Sequence, residues 1–137
     1  MNQRKYFLLT MITIILFFVL ISGCTEEKAV IKTFNESNSG ETVNIENGEI
    51  FHIQLFENPS TGYSWNMTYT EGLELMSDEY TQSNTTEQIV GAGGTHDWEF
   101  KAIKTGEQQI KGIYHRPWEG INESINYTTF ELIVKVA

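Results

Sequence analysis

The sequence predicts an all-β fold, an antiparallel sandwich of about seven short strands. Three observations predict it. Apolar and polar residues alternate with period two through most of the chain beyond residue 40. No window of helical length carries a 3.6-residue apolar stripe. Turn formers punctuate the alternation at Asn47-Gly48, Asn58-Pro59, Glu71-Gly72, Gly91 to Gly94, Thr105-Gly106 and Pro117. With 1 Cys in the chain, the Cys…Trp…Cys signature of antibody domains is absent. An immunoglobulin-like sandwich here is held by packing without a disulfide, and a small barrel is the alternative.

The first 23 residues stand apart from that pattern. Arg4 and Lys5 precede an apolar run from Tyr6 to Ile21, broken only by Thr10 and Thr13. That is the form of a secretory signal peptide, although the run is near the lower limit for a spanning helix, roughly 17 residues. Ile21-Ser22-Gly23-Cys24 resembles a lipobox, in which a peptidase cuts before the cysteine and the thiol carries lipid. An uncleaved anchor helix with an incidental cysteine is the alternative. Both readings put the rest of the chain outside the cytoplasm, in the cell envelope and tethered to the membrane. Residues 24–39 read as a lipid-anchored tether holding a candidate first strand, and 40–137 as the folded domain.

The strands follow in order. Val43 and Ile45 give a short alternation. Phe51, Ile53 and Leu55 alternate with His52 and Gln54. From Tyr63 to Tyr69 the odd positions are large and apolar and the even ones polar. Leu73 and Leu75 give another short run, after which Tyr80 to Ile89 is polar and reads as a long loop. Trp98, Phe100 and Ala102 share one face, with Asp97, Glu99 and Lys101 on the other. Ile110, Gly112 and Tyr114 form a weaker face, because Ile113 falls opposite. Phe130, Leu132, Val134 and Val136 form the inner face of the last strand.

Composition narrows the function classes. The chain has 137 residues, with 9 Lys+Arg against 18 Asp+Glu. Losing Arg4 and Lys5 with the leader takes 9 basic residues to 7 against 18 acidic ones, a balance of −11. Nucleic acid needs concentrated Lys and Arg and is excluded as a partner. The same balance argues against a basic membrane-surface helix. At 40% hydrophobic residues with 2 Pro, the chain folds rather than staying disordered. The sequons at Asn35, Asn66, Asn84, Asn122 and Asn126 fit the Asn- and Thr-rich loops and strand faces as well as they fit glycosylation.

Three loops stand out. In Asn58-Pro59-Ser60-Thr61-Gly62, Pro59 fixes its own φ and Gly62 permits positive φ. A stiff loop presenting the Ser60 and Thr61 hydroxyls is expected, although read alone the residues favour a plain hairpin turn. Gly91-Ala92-Gly93-Gly94 lacks the context of a dinucleotide fingerprint or a phosphate loop. It lets an extended backbone approach closely, or it is a simple connection. A side chain at Gly93 is expected to block that approach without unfolding the domain. Arg116-Pro117-Trp118-Glu119 joins residue types enriched at binding hot spots. Its alternative is a tryptophan folded onto the core, with Arg116 paired to Glu119. In a sandwich the three loops can share one end and form one surface.

The motifs Asn58-Pro59-Ser60-Thr61-Gly62-Tyr63, Gly91-Ala92-Gly93-Gly94 and Arg116-Pro117-Trp118, in that order, resemble the chagasin-like inhibitors of papain-type cysteine proteases. The strand around Trp98 and the turn at Gly106 fit the same resemblance, which covers roughly residues 40–137. Ser60 departs from the family's usual threonine, keeping the hydroxyl and losing a methyl. The resemblance implies an immunoglobulin-like sandwich and reversible steric inhibition of a papain-like cysteine protease. It implies that residues 58–63, 91–94 and 116–118 touch the protease, with Thr61 nearest the catalytic cysteine. The glycine loop would line the substrate groove, and Arg116 and Trp118 would grip the opposite wall. A monomer with no cofactor or metal is expected.

Enzymatic readings lack residues. There is no Gly-x-Ser-x-Gly elbow, and Cys24 sits at the lipobox. His52, His96 and His115 have no metal-ligand spacing. His52 falls on an outer strand face, and the scattered carboxylates read mostly as solvated. The reading from a different class is a surface-anchored sandwich domain for adhesion or for docking an envelope protein. A buried Trp118, or a glycine loop at the far end of the domain, would favour it.

Overall fold

The computed structural model describes residues 31–83, 91–122 and 125–137. The leader 1–23, Cys24 and the tether up to residue 30 lie outside the described residues, as does the sequon at Asn84. Ile31–Ala137 is a compact unit.

Among the described residues, alternation becomes eight strands: β1 (Lys32–Phe34), β2 (Glu41–Ile45), β3 (Ile50–Glu57), β4 (Ser64–Tyr69), β5 (Leu73–Gln82), β6 (Gly94–Ala102), β7 (Gly106–His115) and β8 (Thr128–Val136). They form two four-stranded sheets, in the orders β1-β3-β6-β5 and β2-β8-β7-β4. The long pairings β3–β6, β5–β6, β4–β7 and β7–β8 are antiparallel. The two short N-terminal strands add in parallel, β1 on β3 and β2 on β8. Alternation reports which face is inward and says nothing of pairing direction, so this feature was not readable.

The predicted inner faces meet in one core. Phe51, Ile53 and Leu55 of β3 and Phe100 and Ala102 of β6 are fully buried, as are Leu132 and Val134 of β8. Phe51 and Phe100 stack at 5.9 Å between ring centres. Side chains from two sheets interdigitating in this way supply the stability that a disulfide supplies elsewhere.

Two elements depart from expectation. The inward residues of β4, Trp65 and Met67, are half-buried and Tyr69 is exposed, because β4 lies at the edge of its sheet. Strand β5 continues through Tyr80, Thr81 and Gln82, where the sequence suggested a loop. It too is an edge strand, so its outer half is polar without ceasing to pair. A bulge between Leu75 and Ser77 resets its register, and Asp78 then lies opposite Trp98 and Tyr80 opposite His96.

The register also fixes where the loops lie. Glu57, at the end of β3, pairs with Gly94, at the start of β6, and Gln82, at the end of β5, pairs with the same glycine. Ser64, at the start of β4, pairs with His115, at the end of β7. Tyr114 pairs with Thr128, at the start of β8. The β3–β4, β5–β6 and β7–β8 connections therefore leave the sandwich at one end.

Candidate functional site

The first loop is a 3-10 turn, Pro59–Thr61, built by its own side chains. Asn58 caps it, its Oδ1 accepting from the Ser60 backbone N–H at 3.2 Å. Pro59 occupies the first turn position, where its missing N–H costs nothing. Gly62 closes the turn at φ +81°, a conformation that favours glycine. The two hydroxyls are spent inside the loop. Ser60 Oγ donates to Asn58 Oδ1 at 2.5 Å, and Thr61 Oγ1 donates to the Asn58 carbonyl at 2.7 Å. Both residues are exposed, as the sequence suggested, and their hydroxyls bond within the loop as well. Short hydroxyl side chains on a tight turn reach their own backbone first, and here they stiffen it.

This turn is braced on both sides. Toward the glycine loop, Asn58 Nδ2 donates to the Gly91 carbonyl at 3.0 Å, and Ser60 Oγ lies 3.3 Å from the same oxygen. Toward the third loop, Arg116 Nε donates to the Thr61 carbonyl at 3.3 Å, and its guanidinium lies 4.7 Å from the centre of the Tyr63 ring. Below, the Tyr114 hydroxyl accepts from the Asn58 backbone N–H at 2.9 Å. The Tyr114 ring packs on Tyr63 and Trp65 at 5.4 and 5.1 Å.

The third loop is a second 3-10 turn, Pro117–Glu119. Arg116 pairs with Glu119 at 3.1 Å, as one reading of the sequence had it. Trp118 does not fold onto the core: it is 71% exposed and lies over Gly62. A methyl group on Gly62 would come 2.2 Å from Cη2 of Trp118, so this glycine serves the turn and the indole together.

In the glycine loop, Gly91 takes φ +90°. Gly93 is packed rather than open. A methyl there would lie 2.4 Å from Cζ of Phe56 and 2.9 Å from the Glu57 carbonyl. Substitution at Gly93 therefore disturbs the seat of the loop on β3, which corrects the expectation that only an approaching partner would feel it. On Gly94 a methyl would lie 2.1 Å from the Thr81 carbonyl, so this glycine lets β5 and β6 close at their ends.

All three sequence-predicted segments, 58–63, 91–94 and 116–118, thus meet at one end, cross-braced by named hydrogen bonds. Two residues there escaped the sequence reading. Phe56 is 58% exposed beside Gly93, and Glu57 is buried at 4%, paired with His96 at 2.9 Å. A signal existed. After Ile53 and Leu55 inward with His52 and Gln54 outward, Phe56 and Glu57 invert the alternation, and such local violations concentrate at functional sites. His52 does face outward, where Asp97 and Glu99 lie 2.8 and 3.5 Å from its ring nitrogens.

Three cross-braced loops at one end of the sandwich, with an exposed tryptophan among them, define a binding protein. The model for the Chagasin family peptidase inhibitor I42 matches residues 44–134, and the chain belongs to this family. Amoebiasin-2 of Entamoeba histolytica is 32% identical over 121 residues, 88% of this chain and 97% of that protein. Amoebiasin-1 of the same organism is 36% identical over 104 residues, 76% of this chain and 98% of that protein. The crystal structure of a cysteine protease inhibitor from Entamoeba histolytica superposes with a TM-score of 0.70 at 30% identity, covering 78% of this chain and 96% of that one.

Proposed function

We propose that the chain is a reversible, tight-binding inhibitor of papain-family cysteine proteases whose three loops plug the active-site cleft. The observation that carries this reading is the convergence of the loops. They arise from three separate strand connections and are braced through Asn58, Ser60 and Arg116. The turn Pro59–Thr61 lies over the catalytic cysteine with Thr61 closest. The glycine loop runs along the substrate groove as extended backbone, and Arg116 and Trp118 hold the opposite wall.

Inhibition in this reading is steric. Both loop hydroxyls already donate within the turn, so the inhibitor offers the protease thiolate no free hydroxyl to exchange a proton with. A wedge ordered before binding loses little conformational entropy on binding, which favours a tight complex. We further propose that cleavage before Cys24 and lipid on its thiol hold the domain at the outer face of the membrane. There it acts as a monomer and meets proteases outside the cytoplasm.

The test is titration of papain with the chain in the presence of a fluorogenic peptide substrate. Stoichiometric, reversible loss of activity with the inhibitor left intact is expected. Absence of inhibition across papain and a panel of cathepsins would return the chain to the docking-domain reading.

A further inference from the structure

We propose that Glu57, His96 and Asp78 form a proton-dependent latch beneath the first and glycine loops, so that inhibition is tightest when the His96 ring carries both protons. The proposal deepens the inhibitor reading and rests on it.

His96 lies on β6, two residues beyond Gly94, and sits between two carboxylates. Its Nδ1 is 2.9 Å from Glu57 Oε2 and its Nε2 is 2.5 Å from Asp78 Oδ1. Neutral imidazole carries one N–H, so it can donate to only one of them. Both contacts are hydrogen bonds when the ring holds two protons. The ring also stacks on Trp98, with centres 3.9 Å apart and planes at 9°, and the face of an indole favours a cation.

The groups around the ring come from three further strands. Glu57 comes from β3 and immediately precedes Asn58. Asp78 and Tyr80 come from β5, with the Tyr80 ring 6.3 Å away. From β4, the Trp65 backbone N–H donates to the same Glu57 oxygen at 3.1 Å. The ion pairs of Glu57 and Asp78 both run to His96.

Exposure decides what deprotonation does. The Glu57 side chain is 6% exposed and that of Asp78 51%. A buried carboxylate keeps its donor, so the remaining proton stays on Nδ1. The Nε2 lone pair then faces Asp78, which turns to water. Strand β5 loses its ion-pair tie to β6 two residues from Gly94, leaving the Tyr80 ring contact and the backbone pairs. The loop is then less ordered before binding, and ordering it costs affinity.

The discriminating variant is Asp78→Asn. Its amide donates to Nε2 of a neutral His96 while Nδ1–H stays on Glu57, which completes the tie without a second proton. Inhibition constants of the full chain in detergent micelles are measured against papain from pH 5.5 to 7.5, for wild type and variant. The ratio of the two cancels the protease's own titration and that of every inhibitor group the variant leaves unchanged. The wild-type constant is expected to rise about threefold to tenfold relative to the variant across this range, and a flat ratio overturns the proposal. Side-chain NMR of the same chain adds a readout that does not depend on a protease. His96 is expected to pass from doubly protonated to the Nδ1–H tautomer, with the Gly93 and Gly94 amide shifts following it. Glycine amides that ignore His96 overturn the latch. If the wild type inhibits at no pH, the inhibitor reading fails, and the glycine amides alone decide the latch.

Discussion

Truncating Trp118 to alanine separates binding from folding. The indole is 71% exposed, and it lies over Gly62 in a loop outside the core. A tryptophan presents up to about 250 Å², so about 180 Å² of this one is open to a partner. Covering half of that area at about 25 cal/mol per Å² is worth about 2 kcal/mol. This is hot-spot magnitude and corresponds to a rise of about 30-fold in the inhibition constant. The fold should lose little, because surface substitutions away from special features stay within about 0.5 kcal/mol. The assay pairs tight-binding inhibition kinetics against papain with a urea unfolding curve. A constant within about twofold of wild type would refute the hot-spot argument, since it lies far below the expected 30-fold change. A loss of binding matched by an equal loss of stability would refute the claim that the indole is held for a partner.

Other substitutions probe the bracing. Gly62→Ala puts a methyl where φ is +81° and where Cη2 of Trp118 would lie 2.2 Å away. The backbone cost is about 1–2 kcal/mol, and the displaced indole should raise the inhibition constant further than the unfolding midpoint falls. Asn58→Ala removes the turn's cap and its bond to the Gly91 carbonyl. A cap is worth about 1 kcal/mol, so denaturation should show a loss of that size, with weaker inhibition alongside. Gly93→Ala must push Phe56 or the Glu57 carbonyl aside, costing about 1–3 kcal/mol. An unchanged urea midpoint would mean that the glycine loop does not seat on β3.

Much of this was legible because strands bury alternate residues. The cleanly alternating faces of the central strands, Phe51-Ile53-Leu55 and Phe130-Leu132-Val134, are inward in the structure, while that of the edge strand β4 is only half-buried. The parallel addition of β1 and β2 was not legible, because parallel and antiparallel neighbours bury the same alternate residues. The outer half of β5 was hidden because an edge strand keeps its backbone bonds while its side chains face water. The three loop motifs could be read, but their bracing could not. The bond between Asn58 and Gly91 spans 33 residues, and the contact of Arg116 with Thr61 spans 55. The Glu57–His96–Asp78 cluster was invisible for the same reason. Its members come from three strands, and a bulge sets which face Asp78 occupies.

The central claim is that the three loops occupy the protease cleft without bonding to the nucleophile. Calorimetric binding of the chain to two forms of papain tests it most directly. One form has an open cleft, and in the other a covalent peptidyl inhibitor fills it. The account predicts one-to-one binding to the open form and none to the filled one. Binding of equal affinity to both would place the contact elsewhere on the protease and contradict the account.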